Sequence, residues 1–288
     1  MAATLIDGVA IARELYAGFR ERVKALAGRG VQPGLAAIVV GDNPASEVYV
    51  RTKTRACAEA GVHSVQQRFA ADVSEDEVIG LIGHLNADPA IHGVLVQLPL
   101  PPRLNSERIL QAVSADKDVD GFNWCNLGAL VAGRPRFSPC TPLGVMTMLD
   151  REKVGVEGRT AVVIGRSVIV GKPMALMLIA GGATVTVCNS KTRDLRDYTS
   201  RADILVAAAG RPGLVHGSMI KPGAVVIDVG INRLPDGRLT GDVDFASASQ
   251  VASRITPVPG GVGRMTVAML IANTVTAAER YSGQSPGG

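Results

Sequence analysis

Residues 160–193 read TAVVIGRSVIVGKPMALMLIAGGATVTVCNSKTR. A β-branched run (160–164) leads into a loop that opens and closes on glycine, Gly165-Arg166-Ser167-Val168-Ile169-Val170-Gly171. A helix-forming run follows from about Lys172-Pro173, and after Gly181-Gly182 comes a second apolar run (184–187). Strand, glycine loop, helix and strand are the outline of a βαβ unit, whose crossover helix makes the two strands parallel. The loop is not G-x-G-x-x-G: Ser167 stands in place of the second glycine and the last glycine comes one residue late. It still sets backbone N–H groups and a helix N-terminus where a phosphate can be held.

The same alternation runs outward in both directions. Short apolar runs at 35–40, 93–97, 204–207 and 224–228 are read as further strands. Their continuous apolar character suits strands covered on both faces, so the fold expected is α/β with parallel sheets. Ser74-x-x-Glu77 is a capping box opening a helix to about residue 86. Ser46 is read as the N-cap of a helix over 47–60 that Gly61 ends, and Thr141-Pro142 as the N-cap and first residue of a helix to about 153. The proline-rich stretch RPRFSPCTP, near 134–142, breaks the apolar pattern and marks a domain boundary. Two α/β domains around a cleft are expected, the second a Rossmann-type dinucleotide domain, with the cleft as the ligand site.

Composition narrows the function classes. With 288 residues, 47% of them hydrophobic, the chain can bury two cores, which excludes wholesale disorder. Thirty Lys and Arg against 26 Asp and Glu leave +4, without a basic run, so no nucleic-acid partner is expected. Cys57, Cys125, Cys140 and Cys188 form no C-x-x-C and His63, His84, His92 and His216 are scattered. Free thiols in a reducing cytoplasm and no metal site are the expectation. The N-terminus lacks a signal-peptide pattern, and the longest uncharged stretch (173–190) is split by two glycines, so no membrane partner is expected either.

The end of the second strand of the βαβ unit bears on the nucleotide. A fold binding NAD usually carries an acid there for the ribose 2′-hydroxyl. Here the strand runs out through Asn189-Ser190-Lys191-Thr192-Arg193, with no carboxylate. Arg166 and Ser190 can instead hold a 2′-phosphate by charge-assisted hydrogen bonds, which favours NADP.

Four further segments carry chemistry. Tyr49-Val50-Arg51-Thr52-Lys53 puts a phenol and an ammonium four residues apart, on one helix face. Gln97 follows an apolar strand and precedes Leu98-Pro99-Leu100-Pro101, at a strand C-terminus where open sheets bind ligands. Lys117-Asp118-Val119-Asp120-Gly121-Phe122 sets two carboxylates beside a turn glycine. Thr256-Pro257-Val258-Pro259-Gly260-Gly261-Val262-Gly263 is a stiff loop whose glycines allow close backbone approach, before an apolar helix from Met265 to about Glu279.

Together with Val39-Val40-Gly41-Asp42-Asn43-Pro44-Ala45-Ser46 and Pro139-Cys140-Thr141-Pro142, these segments stand in one order along the chain. In that order the chain resembles the bifunctional methylenetetrahydrofolate dehydrogenase/methenyltetrahydrofolate cyclohydrolase family. The resemblance implies hydride transfer from methylenetetrahydrofolate to NADP⁺, then hydrolysis of the methenyl product to 10-formyltetrahydrofolate. It implies catalytic roles for Lys53, for Tyr49 bordering the pterin side, for Gln97 tuning the lysine, and for Asp120 anchoring the pterin edge. Cofactor positions are Gly165, Arg166, Ser167, Ser190 and Ile231; Gly260 and Gly261 join Tyr49 and Asp120 as substrate-binding residues. The implied division is 1–138 for folate and catalysis, with a helix over 265–280 packing back on it, 139–264 for NADP, and 281–288 as a tail. A homodimer is implied as well. Two departures, Arg264 in place of a usual proline and Asn123-Trp124 in place of His-Pro, bear on substrate affinity and on the balance of the two activities. A monofunctional dehydrogenase and a non-catalytic NADP-binding sensor are the alternative readings.

Overall fold

The computed structural model describes residues 2–283, and the side chains of these apart from residues 44–49. In chain order the elements are β1 (Thr4–Leu5), α1 (Gly8–Ala27), β2 (Gly34–Val40), α2 (Pro44–Ala60), β3 (His63–Phe69), α3 (Glu75–Ala87) and β4 (Gly93–Val96). Next come α4 (Ser106–Ala112), α5 (Trp124–Val131), α6 (Cys140–Arg151), β5 (Thr160–Ile164), α7 (Gly171–Ala180), β6 (Thr184–Cys188), α8 (Leu195–Thr199) and β7 (Ile204–Ala207). The chain ends with β8 (Val225–Asp228), β9 (Asn232–Arg233), β10 (Leu239–Thr240), α9 (Phe245–Ala248), β11 (Arg254–Ile255) and α10 (Val262–Tyr281). It divides into two compact units, one of Met1–Arg13 with Thr141–Thr266, the other of Glu14–Cys140 with the residues from Val267 on.

The first unit is built on a six-stranded parallel sheet, in the order β1-β11-β8-β7-β5-β6. Its central strands are continuous runs of Val, Ile, Leu and Ala because helices cover both faces. β1 comes from the far N-terminus and pairs in parallel with β11, Leu5 opposite Ile255. A two-stranded antiparallel ribbon, β9 with β10, stands apart from the main sheet.

The second unit holds a three-stranded parallel sheet, β3-β2-β4. Central β2, GLAAIVV, is buried at all seven positions. β3, HSVQQRF, alternates between half-buried and exposed residues from Val65 on, as an edge strand does. Val78, Ile82 and Leu85 of α3 and Ile109 of α4 pack with Ile38, Val94 and Val96 of the sheet into one core. Arg22 of α1 grips Glu279 of α10 through both carboxylate oxygens, at 2.8 and 2.6 Å.

Helix ends follow local chemistry. The Ser74–Glu77 capping box is present: Ser74 Oγ accepts from Glu77 N–H at 3.3 Å, and Glu77 Oε2 accepts from Ser74 N–H at 3.0 Å. α2 stops at Ala60 in a Schellman arrangement, with Val62 N–H donating to Cys57 O and Gly61 N–H to Ala58 O around Gly61 at φ +77°. Two expected starts are displaced. α2 begins at Pro44, whose fixed φ suits a first helical residue, so Ser46 lies inside the helix and is not its N-cap. α6 begins at Cys140, and the Thr141 hydroxyl pairs with that of Thr266 at 3.0 Å.

Replacing Ser74 by Ala removes the acceptor for Glu77 N–H and the hydroxyl that donates to the Glu77 carboxylate, leaving only the backbone N–H of residue 74 on that carboxylate. A loss of about 1 kcal/mol is expected, read as a lower urea midpoint at unchanged slope. An unmoved midpoint would show that the capping box contributes nothing to stability.

Candidate active site

In the second unit three of the four expected catalytic residues come together from separate elements. Lys53, half-buried on α2, donates from Nζ to Gln97 Oε1 at 2.9 Å. Gln97 lies one residue beyond β4, 8% exposed, with its own N–H tied to Ile38 O. Its amide is oriented from the other side: Nε2 donates to Leu98 O at 2.7 Å, which leaves Oε1 as the atom facing the lysine. Tyr49 belongs to α2, but its side chain lies outside the described residues.

Asp120 stands in the field of the same lysine. Burial raises its carboxyl from the ordinary 3.8 to about 6, the Lys53 ammonium pulls it back down, and neighbouring Asp118 pushes it up. The segment around it is held by a second set of bonds. Asp118 Oδ1 accepts from Gly121 N–H at 3.1 Å, and Oδ2 accepts from Asn123 N–H at 2.7 Å and from Asn126 Nδ2 at 2.8 Å. Of the two acids in the KDVDGF stretch, Asp118 therefore shapes the turn, and Asp120 is the one left facing Lys53. Gly121 takes φ +77°, and a Cβ there would meet Pro139 N at 2.7 Å.

Two residues beside Asp120 have no role assigned from the sequence, although Cys140 stands in one of the segments that carry the resemblance. The Cys140 thiol is within hydrogen-bonding reach of the Asp120 carboxyl, and of Val119 O at 3.2 Å. Burial, with Asp120 beside it, holds this thiol well above its ordinary range, so it is an inert hydrogen-bond donor. Asn273 of α10 donates from Nδ2 to Val119 O at 2.8 Å and Ser138 O at 3.1 Å. Its one sequence signal was an amide amid the apolar run of that helix.

In the first unit, the expected cofactor residues share the C-terminal edge of one sheet. Gly165 follows β5 at φ +127°, and a Cβ on it would strike Ala208 O; a Cβ on Gly171 would strike Gly165 O. The backbone therefore closes into a tight cradle that only these glycines permit. Ser167 Oγ accepts from Val170 and Gly171 N–H at 3.2 and 3.3 Å, at the N-terminus of α7, where a phosphate oxygen is also favoured. Arg166 and Ser167 are exposed beside this cradle, and Ser190, also exposed, follows the neighbouring strand β6. With no acid at that strand end, the residues present fit a dinucleotide carrying a 2′-phosphate. Ile231 follows β8, with Cδ1 3.3 Å from where a Cβ of Gly263 would lie. Gly260, at φ +109°, and Gly261 sit in the loop after β11; a Cβ on Gly261 would meet Pro257 O at 2.6 Å. Among the described residues no group of His, Cys, Asp and Glu is arranged to hold a metal ion, and no helix is long and apolar enough to cross a membrane.

The whole chain has known counterparts. Residues 6–120 match the family described as tetrahydrofolate dehydrogenase/cyclohydrolase, catalytic domain. Residues 139–282 match tetrahydrofolate dehydrogenase/cyclohydrolase, NAD(P)-binding domain. The bifunctional protein FolD of Dechloromonas aromatica is 62% identical over 283 residues, 98% of this chain and 100% of that one. The bifunctional methylenetetrahydrofolate dehydrogenase/cyclohydrolase FolD of Campylobacter jejuni superposes with a TM-score of 0.95 at 48% identity, covering 97% of this chain and 99% of that one. The Trypanosoma brucei FolD, solved with NADP cofactor and an inhibitor, gives 0.94 at 40% identity over 99% and 100%.

The raised Asp120 pKa has a consequence for stability. Between pH 3.8 and 6 the folded chain holds this proton and the unfolded chain has lost it, so its contribution to stability declines as pH rises through that window. The Asp120→Asn variant removes that decline. Its stability relative to wild type is expected to improve from pH 4 to pH 8 by on the order of 2 kcal/mol, read from paired urea titrations. A difference that does not change with pH would show that the carboxyl is not raised.

Proposed function

The chain belongs to the tetrahydrofolate dehydrogenase/cyclohydrolase family, and from that premise we propose how its residues run both reactions of the family. The protein oxidises 5,10-methylenetetrahydrofolate to 5,10-methenyltetrahydrofolate with NADP⁺, then hydrolyses the product to 10-formyltetrahydrofolate. The observation that carries the assignment of residues is the 2.9 Å bond from Lys53 Nζ to Gln97 Oε1, in the field of the Asp120 carboxylate.

NADP⁺, when bound, supplies the hydride acceptor. Gly165, Ser167 and the start of α7 hold its phosphates, and Arg166 with Ser190 hold the 2′-phosphate. The chain's own part in that step is alignment, with Ile231 beside the reacting end. Asp120 anchors the pterin edge: an ionised carboxylate accepts from adjacent ring and amino N–H groups, and so fixes the folate in one orientation. Tyr49 borders the ring system, and Gly260 and Gly261 admit the substrate close to the backbone.

Hydrolysis needs more from the protein. Water adds to the methenyl carbon, the bond from that carbon to one bridge nitrogen breaks, one water proton ends on the nitrogen released, and the other goes to solvent. Lys53 relays that proton, and Gln97 keeps its Nζ in place. Gln97, fixed in turn by Leu98 O, gives the lysine one acceptor and no second charge. The protein acts as a homodimer in the cytoplasm, a reading that rests on likeness to the family.

A single time course with methylenetetrahydrofolate and NADP⁺ tests the function. NADPH should appear, and methenyltetrahydrofolate should clear faster than in a protein-free control. The Lys53→Met variant should lose hydrolysis by about 100-fold or more. Hydrolysis at the wild-type rate in that variant would remove Lys53 from the mechanism. NADPH formation with no acceleration of methenyl clearance would leave a dehydrogenase only. In the same assay NADP⁺ should be turned over more efficiently than NAD⁺ at matched concentration. Arg166→Ala should narrow that gap by about tenfold, the worth of one charge-assisted hydrogen bond. Equal turnover of the two nucleotides by the wild type would overturn the roles of Arg166 and Ser190.

A further inference from the structure

A pair of buried carboxylates lies beneath the cofactor edge of the first unit, with no ion-pair partner among the described residues. Asp242 is fully buried. Its Oδ2 accepts from Ala209 N–H at 2.6 Å and Gly210 N–H at 2.9 Å; its Oδ1 accepts from Arg211 N–H at 2.8 Å and from Asn232 Nδ2 at 2.9 Å. Three consecutive backbone donors after β7 thus converge on one side chain, which also holds a residue after β8. Asp228, 4% exposed at the end of β8, stands behind it. Its Oδ1 accepts from Asp242 N–H at 2.9 Å and Gly230 N–H at 3.0 Å, and its Oδ2 accepts from Val243 N–H at 2.9 Å. Asp228 N–H donates to Thr256 Oγ1 at 2.7 Å. Both carboxylates are packed against glycine: a Cβ on Gly230 would strike Asp242, and one on Gly241 would strike Asp228.

The geometry has a direction. Adjacent N–H and C=O groups of a trans peptide point opposite ways, so donors turned down onto Asp242 turn the preceding carbonyls away from it. One of these is Ala208 O, the atom that a Cβ on Gly165 would strike. The carboxylate therefore sets the loop after β7 against the phosphate-binding glycine after β5. In the sheet order β8-β7-β5-β6, the phosphate cradle and Ser190 occupy the β5–β6 side. A dinucleotide straddling the sheet edge places its other half over β7 and β8, where loops 208–211 and 229–232 lie.

We infer that Asp242, backed by Asp228, is a positioning pair that shapes loops 208–211 and 229–232 to receive the nicotinamide half of the dinucleotide, an inference that rests on the NADP reading above. The pair touches no substrate and acts through the backbone it holds. Two buried anions are costly, and seven backbone N–H groups and amides answer them. Apolar residues would fill the same space but would leave the three donors of 209–211 free to turn.

The test separates the two halves of the nucleotide. In the full-length Asp242→Asn variant, the affinity for NADPH, from fluorescence titration without folate, should fall at least tenfold. The affinity for adenosine 2′,5′-bisphosphate, which reaches only the β5–β6 side, should stay within twofold, as should cofactor-independent hydrolysis of methenyltetrahydrofolate. Asn232→Ala, a milder change at a half-exposed side chain, should weaken NADPH binding two- to fivefold and leave the fragment unaffected. Unchanged NADPH affinity in either folded variant would overturn the inference. So would an equal loss for NADPH and fragment, which would make the pair a support for the whole sheet. If Asp242→Asn does not fold, Asn232→Ala decides alone. A wild-type chain that binds both nucleotides but converts no folate would remove the proposed function, while the ratio of affinities still decides the positioning role.

Discussion

Parallel pairing is the constraint on which the rest of this molecule depends. Parallel strands cannot be joined by a tight turn, so each is followed by a crossover that lays a helix over the sheet. Both faces are then dry, which is why β2, β5, β7 and β8 are built almost wholly of Val, Ile, Leu, Ala and Gly. It also sends the carboxyl ends of the strands in each parallel sheet to one edge of that sheet. Gln97 after β4, Gly165 after β5, Ser190 after β6, Ala209 after β7 and Ile231 after β8 are all first-loop residues in this sense. Chemistry collects at those edges because only there does the backbone leave its ladder with groups to spare.

Those spare groups are handled in two different ways. Around Asp118, Asp228 and Asp242, buried carboxylates absorb backbone N–H groups and hold loops in one shape. Their charge is answered by peptide dipoles: burial pushes the Asp228 carboxyl up to about 6, and the backbone N–H groups of Asp242, Val243 and Gly230 pull against that rise. At Asp120 the answer is a side-chain ammonium, that of Lys53, together with a thiol. A carboxylate whose needs are met by peptide N–H groups has little left for a ligand, whereas Asp120 has. The same distinction separates Gln97, which spends one end of its amide on Leu98 O and offers the other to Lys53, from Asn273, which spends its donors on Val119 and Ser138.

Much of this was legible beforehand. The strands at 160–164 and 204–207 are where the apolar runs put them, and the capping box at Ser74 and the stop at Gly61 are where local chemistry put them. β3 is not legible as a continuous apolar run, because HSVQQRF is half polar; an edge strand needs apolar residues on one face only. Ser46 has the residue type of a cap, but Pro44, two residues earlier, already starts the helix. Spacing alone leaves Asp118 and Asp120 equivalent in one acidic turn, and only the family resemblance picks out Asp120; the bonds of Asp118 to Gly121, Asn123 and Asn126 supply the physical difference.

By itself, then, the sequence determined what depends on near neighbours: the βαβ period, the glycine loop, the missing acid after β6, and the family to which the order of motifs belongs. Interactions within a few residues are written in spacing and residue type, so they survive without coordinates. Only the tertiary structure decided what depends on residues far apart in the chain. It paired β1 with β11 across some 250 positions, set Lys53 against Gln97 across 44, and brought Asn273 to Val119 across 154. It also placed Asp242 under the loop after β7, 31 to 33 positions back. No propensity encodes those meetings, because each is the outcome of packing a whole sheet and its helices, and the geometry of the site exists only once that packing is complete.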